Sequence, residues 1–367
     1  MRRALRLATL SLGRTWPNPG VGCVIVRDGR LLGEGRHAVY GQAHAEVNAL
    51  SQCRALGNDP AGATAYVTLA PCTRHGKQPP CTAALIAAGV ARVVAAVSDP
   101  NQDDPAIGLA QAGIDYDEGC LAAEAGQLHA GFLSRVGAGR PRLTGKWAMT
   151  LDGCIATSTG DSTWISSTQA LAFSRRRRRV FDAIMVGSGT AYHDDPSLLS
   201  AMVGERTPVR VVLSANAELR ENSMLVATRA RAGVLVVHGP QAPLANRQAL
   251  ASHAIELIEV ADPREPLLVA QALGAYGFNE VLVEGGAHIH GAFLRAGLYD
   301  RLEIYLGTQT LGGGTPVCAG DGVELMNAAS HWQHEDQPRL LGGTVCLRLR
   351  RPPVLAMGEE PVVVEDE

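Results

Sequence analysis

Any fold adopted by this chain has to bring three distant side chains, His44, Cys72 and Cys81, to a single point. His44-Ala45-Glu46 supplies an imidazole and a carboxylate, and Pro71-Cys72 with Cys81 supplies two thiolates. Three protein ligands leave the fourth tetrahedral position of a zinc ion open to water, which marks a catalytic rather than a structural site. Glu46 is surplus to the ligand set and suits a proton carrier. The competing reading is two buried cysteines and a surface histidine. It requires four residue types to fall in the right order, beside fitting helices and strands, by coincidence.

The spacing sets the local geometry. Residues i and i+2 of a helix do not share a face, so His44 and Glu46 reach one ion only if it lies over the start of a helix. The pattern over 44–56 predicts that helix, with Val47, Leu50 and Cys53 on one face. A second helix is predicted over 81–88, stopped by Gly89. The site is therefore expected among helix N-termini, whose partial positive charge favours thiolates and a bound hydroxide. Zinc lowers the pKa of its water toward neutrality, and Glu46 can pass that proton to a leaving amine. The order H-x-E…P-C-x-x-C is that of zinc nucleobase deaminases. Here eight residues rather than two separate the cysteines. The chemistry indicated is hydrolytic deamination of an amino-substituted heterocycle.

Apolar runs and helical stretches alternate from end to end, which indicates α/β architecture. Strands are predicted over 21–26, 65–69 and 92–97, and Gly137-Ala138-Gly139-Arg140-Pro141 reads as an interdomain hinge. Beyond it come strands over 141–149, 183–186, 209–213, 233–237, 280–283 and 301–306. Helices are predicted over 168–181, 244–252, 267–276 and 288–296. A chain of 367 residues suits two domains, placed at 1–139 and 140–352. The acidic, proline-containing tail over 353–367 is expected to be disordered. The N-terminus reads as an amphipathic helix rather than a signal peptide, because Arg6 interrupts its apolar stretch and no small-residue cleavage site follows.

Three stretches carry a specific resemblance: Pro17-Asn18-Pro19-Gly20-Val21-Gly22, His44-Ala45-Glu46, and the run from Tyr66 through Pro71-Cys72 to Pro80-Cys81. Together they resemble the bifunctional deaminase/reductase family of bacterial riboflavin biosynthesis. Lys146-Trp147-Ala148-Met149-Thr150-Leu151-Asp152-Gly153, Ser162-Thr163-Trp164, Val186-Gly187-Ser188-Gly189-Thr190 and Asp194-Asp195-Pro196 extend the likeness over nearly the whole chain. The resemblance implies a cytidine-deaminase-like three-layer domain followed by a dihydrofolate-reductase-like domain. It implies zinc on His44, Cys72 and Cys81, Glu46 as acid and base, and pyrimidine and ribose contacts from Asn18 and Lys77. By position, Ala148, Trp164, Thr190, Asp194, Gly286 and Ala287 would contact NADPH. Ser162, Arg178, Leu198 and Glu284 would contact the sugar-phosphate substrate.

The implied reactions are deamination of 2,5-diamino-6-(ribosylamino)pyrimidin-4-one 5′-phosphate and NADPH-dependent reduction of its ribosyl chain to ribityl. Glu284-Gly285-Gly286-Ala287 lies between a predicted strand and helix, where glycines let a phosphate approach backbone N–H groups; an ordinary tight turn explains the pair equally well. It is not the dinucleotide fingerprint G-x-G-x-x-G, so the nicotinamide cofactor is implied by the resemblance alone. In the basic run 175–179, one functional arginine with solvated neighbours is expected, since five consecutive helical residues cannot face one way.

The chain also departs from the family pattern. Ala70 stands where glutamate is usual and Arg74 where histidine is usual. Ser214-Ala215 replaces Asp-Ser, and the stretch after Asn101 is shorter. A few residues are expected before Met1. Ala201 replaces an arginine that would grip the substrate phosphate. A charged hydrogen bond is worth about 1.5–3 kcal/mol, so weaker substrate binding is expected unless Arg206 or another cation substitutes.

Composition excludes other classes. Net charge is −3 and aromatics are 4%, which disfavours nucleic-acid binding by charge or by base stacking. No run approaches transmembrane length. Eight cysteines in a chain this long, two of them claimed by a metal, do not form a disulfide framework. A cytoplasmic enzyme acting on a small molecule is expected, a homo-oligomer through its reductase half. Two alternatives stand beside it: a family member with one half degenerate, and a zinc-stabilised regulatory or nucleic-acid-binding protein.

Overall fold

The computed structural model describes residues 1–200 and 206–352; Ala201 and the 353–367 tail lie outside them. The first unit runs α1 (Arg2–Thr9), β1 (Gly22–Arg27), β2 (Arg30–Arg36), α2 (Ala45–Ala55), β3 (Thr64–Val67), α3 (Cys81–Ala87), β4 (Arg92–Ala95), α4 (Pro105–Gln111), β5 (Asp115–Asp117) and α5 (Ala122–Ala138). Its sheet has the order β2-β1-β3-β4-β5, with β1 antiparallel to β2 and β3, and β3, β4 and β5 parallel.

Glycines fix how closely the helices approach. A Cβ at Gly35 would sit 2.3 Å from the Ala49 nitrogen and 2.4 Å from the Ala45 oxygen, so α2 lies backbone to backbone on β2. A Cβ at Gly22 would sit 2.0 Å from the Ala4 oxygen, which puts α1 on the opposite face of the sheet. Helix, sheet and helix make three layers. On α2 the buried residues are Ala45, Glu46, Ala49, Leu50 and Cys53. Val47 is only half-buried, because the small Ala49 is what the close approach requires on the inner face.

The second unit begins with β6 (Arg142–Met149), β7 (Cys154–Ala156), α6 (Thr168–Arg177), β8 (Ala183–Gly187), α7 (Ser188–His193) and β9 (Val209–Leu213). It continues with α8 (Met224–Ala227), β10 (Val234–His238), α9 (Leu244–Ser252), β11 (Glu256–Glu259) and α10 (Pro266–Tyr276). It closes with β12 (Glu280–Val283), α11 (Ala287–Arg295), β13 (Arg301–Leu306), β14 (Thr315–Pro316), β15 (Gln333–His334), β16 (Arg339–Leu341) and β17 (Thr344–Arg350). Its large sheet has the order β11-β10-β9-β8-β12-β6-β13-β17-β15, with β16 beside β17. From β11 to β13 all pairs are parallel, and β17 pairs antiparallel to β13.

The period of a strand explains the continuous apolar runs. Ala183, Met185, Val211, Leu235, Val281 and Val283 fill one core, while Ile184, Val186, Val212, Val234, Val236 and Leu282 fill the other. A parallel sheet buried on both faces needs apolar residues at every position.

The stretch 137–141 is structured rather than an extended linker. α5 runs to Ala138, Gly139 caps it in the left-handed conformation, and β6 follows at Arg142. Arg140 makes two bonds to Asp300, at 2.8 and 2.9 Å, and a Cβ at Gly274 would sit 2.4 Å from the Gly139 oxygen. The glycines serve a helix cap and a close contact, not a linker.

Two expectations follow. Gly35→Ala should push α2 off the sheet and cost about 1–3 kcal/mol in a denaturant titration, as overpacking does, with reduced zinc occupancy because α2 begins beside His44. The second concerns His290, fully buried, with Nδ1 2.8 Å from the Tyr299 hydroxyl. Burial, then the Lys146 charge, pushes its pKa down to about 4. The unfolded chain takes up this proton near 6.5. The stability tied to the neutral ring is therefore complete above about 6.5 and is lost as pH falls toward about 4. His290→Gln should show a shallower fall in stability over that window than the parent.

Candidate active sites

His44 is the N-cap of α2 and Cys81 the first residue of α3. Cys72 lies in the loop after β3. His44 Nδ1 is 3.6 Å from Cys72 Sγ and 3.3 Å from Cys81 Sγ, and the three ligand atoms lie within 4.8 Å of one another. One imidazole nitrogen and two sulfurs converging in this way fit a tetrahedral zinc ion with one open position. The Cys81 backbone N–H donates to Cys72 Sγ at 3.2 Å. Hydrogen bonds from the Cys81 thiol and the His44 ring hold the Cys72 thiol down, to about 4. The same contact, with burial, pushes the Cys81 thiol up. Cys72 is thus poised as a thiolate ligand.

Glu46 is buried in the first turn of α2. Burial pushes its carboxyl up to about 7, a value suited to taking and returning a proton at neutral pH. It lines a cavity of about 110 Å³ with Asn18, His37, His44, Ala70, Cys72, Asp99, Asn101, Gln102 and Phe132. Asn18 Nδ2 is 3.4 Å from His37 Nε2, and the His37 and His44 rings meet edge-on at 5.0 Å. Gln102 Oε1 accepts from the Thr73 and Arg74 backbone N–H groups, both at 3.2 Å, and steadies the zinc loop. Arg74 turns outward to Asp103 at 2.6 Å. Lys77 does not line the cavity; its ammonium sits 4.1 Å over the Tyr40 ring. His37, Gln102 and Phe132 carry no local motif and were not anticipated.

A second cavity, about 350 Å³, opens at the carboxyl ends of β6, β8 and β12, where open parallel sheets bind ligands. Ala148, Ser162, Trp164, Arg178, Thr190, Asp194, Leu198, Glu284 and Gly286 all line it. Ala287 does not: as the first residue of α11 it is buried in the helix packing. Arg178 donates to both oxygens of Glu284 at 2.9 Å and to the Leu199 oxygen at 3.0 Å. Lys146 stands 3.7 Å from the same carboxylate. Burial alone would raise the Glu284 pKa, but the charges of Arg178 and Lys146 hold it at about 2. The Lys146–Gly153 stretch gives Lys146 no role by resemblance; a lysine in a mostly buried strand is the signal that marks it. Trp164 and Leu198 both have positive φ, 70° and 52°, backbone strain of the kind that gathers at ligand sites. Arg206 lies elsewhere, over the Trp16 ring at 5.8 Å.

The first cavity defines a zinc hydrolase of the cytidine-deaminase type, and the second lies at the carboxyl ends of a parallel sheet, where open α/β sheets bind ligands. The family model for the cytidine and deoxycytidylate deaminase zinc-binding region matches residues 1–97, and that for the RibD C-terminal domain matches 141–338. The riboflavin biosynthesis protein RibD of Escherichia coli is 37% identical over 95% of this chain and 98% of that protein. That of Mycobacterium tuberculosis is 37% identical over 88% of each. The solved structure of Acinetobacter baumannii RibD is 33% identical with a TM-score of 0.85, over 95% of this chain and 97% of that one. The Thermotoga maritima diaminohydroxyphosphoribosylaminopyrimidine deaminase/5-amino-6-(5-phosphoribosylamino)uracil reductase is 32% identical with a TM-score of 0.83, over 96% and 97%. The chain belongs to the RibD family of riboflavin biosynthesis proteins.

The metal assignment predicts separable losses. Cys72→Ser and Cys81→Ser should lose zinc, measured by metal analysis. Glu46→Gln should keep about one zinc per chain and lose at least about 100-fold in ammonia release. Full turnover in Glu46→Gln would overturn its role as proton carrier.

Proposed function

We propose that the two cavities run successive steps of riboflavin biosynthesis. The first hydrolyses the 2-amino group of 2,5-diamino-6-(ribosylamino)pyrimidin-4-one 5′-phosphate. The second reduces the ribosyl chain to ribityl with NADPH. The observation that carries the reading is the convergence of His44, Cys72 and Cys81 beside a buried Glu46.

Zinc, when bound, acidifies a water and acts as a Lewis acid, and NADPH supplies a hydride. His44, Cys72 and Cys81 hold the ion. Glu46 takes the proton of the attacking water on its carboxylate and delivers it to the leaving amine, so that water and the amino compound become the oxo compound and ammonia. Asn18 orients the pyrimidine, and Lys77, whose ammonium lies over the Tyr40 ring, is assigned to the ribose phosphate end. In the reductase cavity Ala148, Trp164, Thr190, Asp194, Gly286 and, through its backbone, Ala287 are assigned to the cofactor. Ser162, Arg178, Leu198 and Glu284 are assigned to the substrate. Lys146 and Arg178 are the cations that line this cavity, and they support phosphate or hydroxyl recognition there.

The division is placed at 139/140, where α5 ends and β6 approaches. Eight free cysteines support a cytoplasmic setting. Among the described residues no helix is long and apolar enough to cross a membrane. Exposed Leu325, Met326 and Leu340 support assembly of copies through the reductase half.

Ordered assays test the reading. Ammonia release should need zinc and no NADPH. NADPH oxidation should begin only once deaminated product is present. Glu284→Gln should raise the reductase KM about 10- to 100-fold, the worth of a charged hydrogen bond, without changing deamination. Ammonia release with no NADPH oxidation at saturating deaminated substrate would leave the reductase half degenerate.

A further inference from the structure

The seam between the two sheets reaches into the deaminase cavity. Asn279 immediately precedes β12, in the reductase half, and is buried. Its Nδ2 donates to the Pro17 carbonyl at 3.2 Å, and its Oδ1 accepts from Arg135 Nε at 2.7 Å. Arg135 in turn donates to the same Pro17 carbonyl at 3.0 Å. The Asn279 backbone N–H is anchored on Asp182 at 2.8 Å, and its carbonyl accepts from the Arg142 N–H at 2.8 Å. Tyr276 and Phe278 pack on Trp16, with ring centroids 6.1 and 5.1 Å away.

The Pro17 carbonyl belongs to the peptide that leads into Asn18. The nitrogen of that peptide donates to the Thr15 oxygen at 2.9 Å. Both ends of the peptide plane are therefore held, one from within the loop and one by a clamp built from both halves. The direction of the Asn18 side chain follows from that plane, and Asn18 lines the deaminase cavity beside His37. We infer that Asn279 is a positioning residue for the deaminase: a reductase-half amide sets the orientation of Asn18 and so the grip on the pyrimidine substrate. This rests on the reading of Asn18 as a substrate contact. It touches neither the zinc ligands nor the reductase cavity.

Asn279→Asp keeps the acceptor for Arg135 and removes the donor to Pro17. The deaminase KM should rise about 2- to 10-fold, the worth of one neutral hydrogen bond. The deaminase kcat, zinc content and NADPH-linked reduction should stay at parental values. Because the effect runs through Asn18, it should vanish in an Asn18→Ala background. If Asn279→Asp does not yield soluble protein, Arg135→Met carries the same test from the other side of the clamp, with the same split expected. An unchanged deaminase KM, an effect that persists undiminished without the Asn18 side chain, or a parallel fall in both activities would overturn the inference. Asn18→Ala that leaves KM unchanged would instead overturn the assignment of Asn18 itself, and the positioning role with it.

Discussion

The close approach of α2 to β2 governs the first active site. Gly35 admits the helix backbone to a distance no side chain would allow, and that contact fixes where α2 begins. His44 caps it, Glu46 is buried in its first turn, and Cys81 opens α3 alongside. A metal ligand set drawn from two helix starts and one loop has little freedom of its own. The sheet supplies the rigidity that lets a buried carboxylate coexist with two sulfurs and an imidazole. The donor geometry offered to a bound zinc would then be set by the scaffold rather than by the ion.

Much of this was legible in the sequence because the chemistry is local. His44-Ala45-Glu46 and the two cysteines state their own ligand set, and the geometric argument that the ion lies over a helix start is met by His44 as N-cap. Strands over 280–283 and 301–306 were legible because a doubly buried parallel strand needs unbroken apolar residues. What was hidden was tertiary. The 17-residue α5 was missed because its exposed and buried alanines and glycines give little periodic contrast. β17 carries the alternating pattern of a half-buried strand and was readable from sequence, although its pairing with β13 was not; its arginines are held by ion pairs, Arg348 to Glu335 and Asp336 among them. The hinge reading of 137–141 took glycine and proline as a linker, where a helix cap and a close backbone contact use the same residues. Lys77 and Ala287 were placed by resemblance at cavities that they do not line.

The reductase cavity shows a different economy. Arg178 and Glu284 satisfy each other in the free protein, so neither is an uncompensated buried charge. Any ligand that engages this cluster competes with the existing Arg178–Glu284 bonds, so its affinity is a difference between two sets of hydrogen bonds rather than a sum of new ones. That arrangement favours ligands able to replace both partners at once, with an anion for the guanidinium and a hydroxyl for the carboxylate.

The position of β6 has a consequence for how the chain comes to exist as a folded protein. It is the first strand of its sheet in sequence, yet its neighbours are β12 and β13, and the Arg142–Glu280 pair spans 138 residues. During synthesis the three-layer unit can condense as it leaves the ribosome, while β6 waits, with its strand edges and its Arg142 and Lys146 charges unpaired, until most of the remaining chain has emerged. Long-range parallel pairing of this kind is slow to form and exposed to aggregation meanwhile. The nascent chain is therefore most vulnerable in the interval between its two halves, and a chain cut short before β12 would leave its central strand with no partner to find.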